Sequence, residues 1–159
     1  MAGIRLLVAG GGTAGHVLPA ISVLEAAMAS GYRAEELHYV GSTRGVEQEM
    51  VPPLGVPFTL MRVVGLQRRL TASNLLFAPL MVAAVLSSLG LLRRRRPAVV
   101  VSVGGYASLP PVLAAWLLRI PVVVVSYDRR PGRASALSAR FAAASAVAFP
   151  DSTLPRATF

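Results

Sequence analysis

The segment Gly10-Gly11-Gly12-Thr13-Ala14-Gly15-His16 joins a glycine-rich turn to a histidine, directly behind the apolar run Ile4-Arg5-Leu6-Leu7-Val8-Ala9. A strand that runs into such a turn and then a helix presents bare backbone N–H groups at the helix N-terminus, where phosphate or another anion can be held. His16 stands beside that anion site with a side chain able to move a proton near neutral pH. A second stretch, Ser102-Val103-Gly104-Gly105-Tyr106-Ala107-Ser108-Leu109-Pro110-Pro111, repeats the order of strand, small-residue turn and helix. Two phosphate-sized sites on one sheet edge suit a diphosphate. Each loop alone also fits ordinary turn chemistry, with glycines permitting the reversal and prolines starting the helix.

Gly10, Gly12 and Gly15 further satisfy the Gly-x-Gly-x-x-Gly spacing of dinucleotide-binding folds. That function needs an acidic residue at the end of the second strand to hold the ribose. Here the strand ends Tyr39-Val40-Gly41-Ser42-Thr43-Arg44, without the acid. Arg44 could meet a 2′-phosphate instead, which keeps an NADP-dependent oxidoreductase as an alternative. With no cysteine, only His16 and His38 as histidines and no clustered carboxylates, disulfides and thiolate metal sites are excluded and a structural metal is not expected.

The elements that must position these loops follow from the hydrophobic pattern. Apolar runs of strand length alternate with helical stretches, the signature of a parallel sheet covered by helices. Strands are predicted near 4–9, 37–41, 57–64, 98–103, 121–125 and 145–148, and helices near 17–30, 44–52, 74–95, 109–118 and 134–143. Runs such as Val122 to Val125 are apolar on both faces, as strands between two helical layers must be. The fold class is α/β, a Rossmann-like doubly wound parallel sheet, with ligands expected at the C-terminal ends of the strands.

The 159 residues fit one domain, and 54% of them are hydrophobic, more than a small soluble domain needs. Part of that apolar surface is expected to face something other than water. Leu75 to Leu92 contains no charge and reaches the length of a membrane span, but it falls where a crossover helix is needed. One face of that helix, with Leu75, Pro79, Val82, Ala83, Leu86 and Leu89, is expected to pack on the sheet. The other, with Phe77, Leu80, Met81, Ala84 and Leu91, is expected to meet lipid.

Arg93, Arg94, Arg95 and Arg96 follow at once, with Arg68 and Arg69 just before the helix, in a chain of net charge +9. Basic residues near anionic headgroups contribute roughly 1 kcal/mol each, so this group can hold the helix on a bilayer without spanning it. The bland alternative is a buried helix whose C-terminal dipole attracts the arginines. The basic run lacks interleaved aromatics, so specific nucleic-acid binding is not expected. No signal-peptide pattern precedes the first strand, so the chain is expected to remain in the cytoplasm.

Taken together, these residues resemble the MurG family, the membrane-associated glycosyltransferases of peptidoglycan synthesis. The resemblance rests on Gly11-Gly12-Thr13-Ala14-Gly15-His16-Val17-Leu18-Pro19-Ala20, on Gly41-Ser42 with Glu47 and Val51-Pro52, and on Gly104-Gly105-Tyr106-Ala107-Ser108 with Pro110. Ala114-Ala115-Trp116 and Ile120-Pro121-Val122-Val123 continue it, so that it covers nearly the whole chain. It implies the N-terminal half of a GT-B fold, with residues 1–159 binding lipid acceptor and membrane and a C-terminal UDP-sugar-binding domain lying beyond Phe159.

The implied reaction transfers N-acetylglucosamine from UDP-GlcNAc to undecaprenyl-diphosphate-linked MurNAc-pentapeptide, with inversion and no cofactor, at the cytoplasmic membrane face. By the same resemblance His16 is the base for the acceptor hydroxyl, and Gly12, Thr13, Ala14, Gly15, Gly104, Gly105, Tyr106, Ser108 and Arg129 contact donor or acceptor. The UDP-sugar itself is expected to bind mostly through the other domain, so the fragment alone is expected to be inactive. A noncatalytic membrane-recruiting subunit of a split transferase is the other reading of such a half.

The residues leave other roles open: His16 as a cap for a helix beginning near Val17, Tyr106 as a packing residue, and Glu47 as a first-turn dipole partner or a bond to loop or acceptor. There is one departure. Where the family carries His-Glu-Gln-Asn, this chain has Ser126-Tyr127-Asp128-Arg129, and a guanidinium cannot accept a hydrogen bond as an asparagine carbonyl does.

Overall fold

The computed structural model describes residues 3–63, 65 and 72–159, with the backbone alone over 72–76. Short apolar runs rich in valine suit a pleated surface buried on both sides. They form β1 (Leu6–Ala9), β2 (Leu37–Ser42), β3 (Phe58–Met61), β4 (Val99–Ser102), β5 (Val122–Ser126), β6 (Ala144–Val147) and β7 (Ala157–Thr158). All seven are parallel, in the order β3-β2-β1-β4-β5-β6-β7. The helices are α1 (Ala14–Ala29), α2 (Glu47–Met50), α3 (Ala72–Arg95), α4 (Leu109–Leu117) and α5 (Arg133–Phe141).

Side-chain alternation along the strands builds a core on each face. Leu7, Ala9, Val100, Val122 and Val124 pack with Ala84, Leu91 and Leu92 of α3, with Val112 and Ala115 of α4, and with Ala139 of α5. Val8, Val101 and Tyr39 pack on the other face with Ala20 and Leu24 of α1 and with Val51. From β1 the chain steps outward to β2 and β3, and α3 then carries it back to β4 on the far side of β1. The strand order therefore reverses between β1 and β4, the switch point at which doubly wound sheets open a crevice for ligands.

Four expectations need correction. α1 starts at Ala14, three residues before the predicted 17, because Thr13 takes the extended N-cap conformation (φ −146°, ψ 155°) and the three residues after it already wind. The helix predicted over 44–52 is a single turn at Glu47–Met50 followed by a 3-10 turn at Pro52–Leu54, since Pro52 and Pro53 supply no amide to continue it. β7, which pairs with β6 through Ser145 and Ala157, was not predicted. Two residues are too few to carry an alternating pattern.

The fourth concerns the face that α3 presents. Ala84 and Leu91, expected to meet lipid, are 5% and 6% exposed and lie in the core, whereas Val82 and Leu86, expected in the core, are 59% and 63% exposed. Phe77, Leu80 and Met81 are half-buried, and Pro79 and Ala83 are exposed. The helix is apolar on both faces, so its pattern fixes no rotation about its own axis. Tertiary contacts decide it: Ala84, Ser88 and Leu91 turn inward at helical spacing, and the buried Ser88 hydroxyl donates to Met61 Sδ at 3.3 Å. By length and composition Phe77–Arg95 could cross a membrane, but it is built into the sheet as the crossover before β4. Arg93 to Arg96 are exposed at its end, while Arg68, Arg69, Val64 and the side chain of Leu75 lie outside the described residues.

Candidate functional site

β1 and β4 end side by side, Ala9 opposite Ser102, and the ladder continues to the root of both glycine loops. The Gly10 amide donates to the Val40 carbonyl at 3.0 Å and the Val103 amide to the Ala9 carbonyl at 2.9 Å. α1 begins directly behind the first loop. The His16 and Val17 amides both donate to the Thr13 carbonyl, and Thr13 makes no side-chain cap. The first-turn amides of Ala14 and Gly15 have no acceptor within the helix, and the helix dipole adds partial positive charge there. Thr13, and not His16, occupies the cap position.

His16 is half-buried, and its ring lies against the second loop. A Cβ at Gly104 would stand 3.3 Å from ring atoms Cε1 and Nδ1, and one at Gly105 would stand 2.9 Å from Cδ2 and collide with the Gly11 carbonyl oxygen. Gly105 also has φ +77° and ψ 158°, a region open essentially to glycine alone. Glycine at this position is thus what lets the two loops touch with the imidazole between them. The second loop is fixed in turn by Ser108, whose hydroxyl donates to the Gly105 carbonyl at 2.9 Å.

The first loop is anchored from β2. Tyr39, fully buried, donates its hydroxyl to the Gly10 carbonyl at 2.7 Å. Burial, and after it the charge of Glu47, push its phenol above the ordinary value, so the group stays a donor. Glu47 has no exposed surface, and its Oε1 accepts both the Gly12 amide and the Ser42 amide at 2.8 Å. Of the roles left open for Glu47, the structure contains both the first-turn position of α2 and the bond to loop backbone.

A cavity of about 280 Å³ opens where these parts converge, lined by Gly11, Gly12, Thr13, His16, Ser42, Arg44, Val63, Gly65, Gly105, Tyr106 and Ala107. Of the predicted contact residues, Gly12, Thr13, His16, Gly105 and Tyr106 meet here. Ala14 and Gly15 are the exposed first residues of α1, and Gly104 and Ser108 are buried in the second loop. Tyr106 borders the cavity and has the packing role, edge-on against Phe77 with centroids 6.0 Å apart and planes at 87°. Through that contact the N-terminal part of α3 touches the site.

Arg129 is placed elsewhere. It follows β5, forms an ion pair with Asp151 at 3.0 Å, and has its guanidinium 6.0 Å from the centre of the Phe149 ring. The charged residue that does border the cavity is Arg44, exposed, whose backbone amide donates a hydrogen bond to Ser42 Oγ at 3.1 Å. Sequence reasoning weighed Arg44 only for a nucleotide 2′-phosphate, and the signal that placed it better was its position just after β2. The other histidine, His38, is buried with Nε2 2.9 Å from Thr59 Oγ1. Burial first, and the charge of Arg95 second, push its pKa down to about 4.

Comparison with known proteins agrees with this geometry. Residues 6–147 match the glycosyltransferase family 28 N-terminal domain. The UDP-N-acetylglucosamine–N-acetylmuramyl-(pentapeptide) pyrophosphoryl-undecaprenol N-acetylglucosamine transferase of Anaeromyxobacter dehalogenans is 43% identical over 148 residues, 93% of this chain and 38% of that protein. The enzyme of the same name from Cutibacterium acnes is 40% identical over 157 residues, 98% of this chain and 41% of that protein. The chain therefore spans about two fifths of the length of the curated relatives it matches.

Among solved structures, MurG of Acinetobacter baumannii superposes with a TM-score of 0.79 at 24% identity, over 99% of this chain and 46% of that one. UDP-GlcNAc 2-epimerase of Neisseria meningitidis shares the fold, with a TM-score of 0.63 at 13% identity over 93% of this chain and 41% of that one. A parallel sheet with its two glycine loops and His16 gathered at the switch point, together with a family match over most of the sequence, establishes that the chain belongs to glycosyltransferase family 28, as its N-terminal domain.

Proposed function

We propose that residues 1–159 form the acceptor- and membrane-binding half of an inverting N-acetylglucosaminyltransferase. Its acceptor is undecaprenyl-diphosphate-linked MurNAc-pentapeptide, its donor is UDP-GlcNAc, and it works at the cytoplasmic face of the membrane. The observation that carries this reading is the convergence of His16 and both glycine loops on one cavity. The free amides at the start of α1 and the Arg44 guanidinium suit the acceptor diphosphate. Thr13, exposed in the first loop, is assigned to the donor sugar in this reading, with most UDP contacts supplied by a second domain.

The acceptor hydroxyl oxygen forms a bond to the anomeric carbon of GlcNAc, and the bond from that carbon to the UDP oxygen breaks, its electron pair leaving with UDP. His16 takes the hydroxyl proton as the oxygen attacks, and configuration inverts. The reaction is written without a cofactor, UDP-GlcNAc being a substrate. In a transferase carrying this sequence as its N-terminal half, H16A is expected to lower kcat by about 10²- to 10⁴-fold, with acceptor KM and melting temperature near wild type. Unchanged turnover would remove His16 from the proton transfer.

Peripheral attachment to an anionic bilayer is the second part of the proposal. It is supported by the exposed apolar strip of Pro79, Val82 and Leu86 on α3, and by Trp116 and Leu117, 53% and 56% exposed, at the end of α4. The C-terminal ends of the two helices share a cavity of about 470 Å³ lined by Leu92, Arg93, Arg96, Pro97, Leu118 and Ile120. Trp116 and Leu117 border Arg119, and an exposed tryptophan with a neighbouring arginine is the composition expected where protein meets lipid headgroups. No specific nucleic-acid contact is included.

A further inference from the structure

Glu47 lies in a cradle made by glycines. A Cβ at Gly11 or Gly45 would collide with its carboxylate oxygens, and one at Gly41 would come within 2.9 Å of its Cγ. Its Oε1 takes the Gly12 and Ser42 amides together, while Oε2 is buried without a hydrogen-bond partner among the described residues. A carboxylate with no exposure is costly unless what it holds repays its desolvation. What it holds is the tip of the first glycine loop, tied across to the end of β2. Gly12 is thereby removed as an amide donor to any ligand, although a Cβ there would meet nothing within 4 Å, so that its bare Cα faces open space.

We propose that Glu47 is a positioning residue of the acceptor site, an internal hydrogen-bond acceptor that takes the Gly12 amide and so fixes the loop and leaves the ligand's anion to the amides at the start of α1. The proposal rests on the acceptor reading given above. Gly11 and Gly45 are then explained by the fit of this carboxylate, while Gly41 is closed in by Tyr39 and the Glu47 stem together. The Gly12–Glu47–Ser42 bridge fixes where Gly11 lies, and through the Gly11 contact with Gly105 it also fixes the relation of the first loop to the second. Loss of the bridge frees the tip while the sheet and both cores remain.

The experiment uses the full chain as wild type, E47Q, E47D and E47A, titrated with a short-chain prenyl-diphosphate-MurNAc-pentapeptide. Amide exchange at Gly12 and Ser42 and binding to anionic vesicles are measured alongside. E47Q keeps an oxygen acceptor and is expected to bind the probe within about fivefold of wild type. E47A and E47D, which abolish or shorten the bridge, are expected to weaken binding by about tenfold or more, the scale of losing hydrogen bonds to a charged group. They are also expected to expose the two amides to exchange while vesicle binding is unchanged, a pattern that general destabilisation does not give.

Wild-type affinity in folded E47A or, if that variant does not fold, in E47D overturns the proposal. Loss in E47Q as large as in E47D also overturns it, because the acceptor oxygen is retained. If wild type ignores the probe, the acceptor reading fails. The clamp is then judged by exchange alone: faster exchange at both amides in E47D upholds it, and unchanged exchange refutes it.

Discussion

Substituting Gly105 by alanine tests whether the contact between the two loops is what shapes the site. At φ +77° and ψ 158° an alanine costs about 1–3 kcal/mol in backbone strain. Its Cβ also collides with the Gly11 carbonyl and approaches His16 Cδ2 to 2.9 Å, and overpacking of that kind adds about 1–3 kcal/mol. The combined loss of about 2–6 kcal/mol is a large share of the stability of a small domain, which is about 5–15 kcal/mol. Gly31 supplies the matched control: its φ is +95°, but a Cβ there meets nothing within 4 Å, and it lies beyond the far end of α1. Urea unfolding of G105A and G31A separates collision from strain, since G31A is expected to lose only the strain component and to bind a prenyl-diphosphate probe as wild type does. G105A is expected to be less stable than G31A and to bind the probe at least about tenfold more weakly. Equal stability and equal binding in the two variants would refute the reasoning.

Three further outcomes are expected. L86D, at an exposed position, should change stability by less than about 0.5 kcal/mol yet reduce sedimentation with anionic vesicles. A84D, at a buried one, should unfold the domain at lower urea, and the reverse pattern would mean that α3 is rotated. Replacing Arg93 to Arg96 with serine should weaken vesicle binding by about 1 kcal/mol per residue and flatten its dependence on salt, which parallel sedimentation at two salt concentrations checks. His38 makes stability depend on pH: its folded pKa of about 4 lies below the unfolded value of about 6.5. Between these the unfolded chain binds the extra proton, so stability rises with pH across that window, by up to about 3 kcal/mol, and is lost on acidification. H38Q should flatten the profile in urea unfolding between pH 4 and 8, and an unchanged profile would exclude His38 as its source.

The fold was legible because its strands carry their own signature. Val99 to Val101 and Val122 to Val125 are apolar on both faces and can only be sandwiched strands, and the glycine loops that follow β1 and β4 announced the edge on which a ligand would bind. What escaped depended on contacts between distant segments. The start of α1 turned on Thr13 adopting an extended cap, a choice made by the loop and not by helical propensity. The rotation of α3 could not be read because leucine stands on both faces, Leu91 buried and Leu86 exposed, and only packing against Met61 and the sheet distinguishes them. Arg129 stands at a position resembling a family contact, but Asp151, far along the chain, provides its partner. Glu47 was visible as a first-turn glutamate, whereas its carboxylate's fit against Gly11 and its bond to the Gly12 amide exist only once β1 and β2 are paired.

The most direct measurement of the central claim is a nuclear magnetic resonance titration of this chain, in anionic lipid nanodiscs, with undecaprenyl-diphosphate-MurNAc-pentapeptide. Saturable shifts centred on Thr13 to His16, Arg44, Gly105 and Tyr106, absent when UDP-GlcNAc alone is added, are the predicted result. Shifts confined to the Arg93–Arg96 surface, or tight binding of UDP-GlcNAc with no response to the lipid diphosphate, would contradict it.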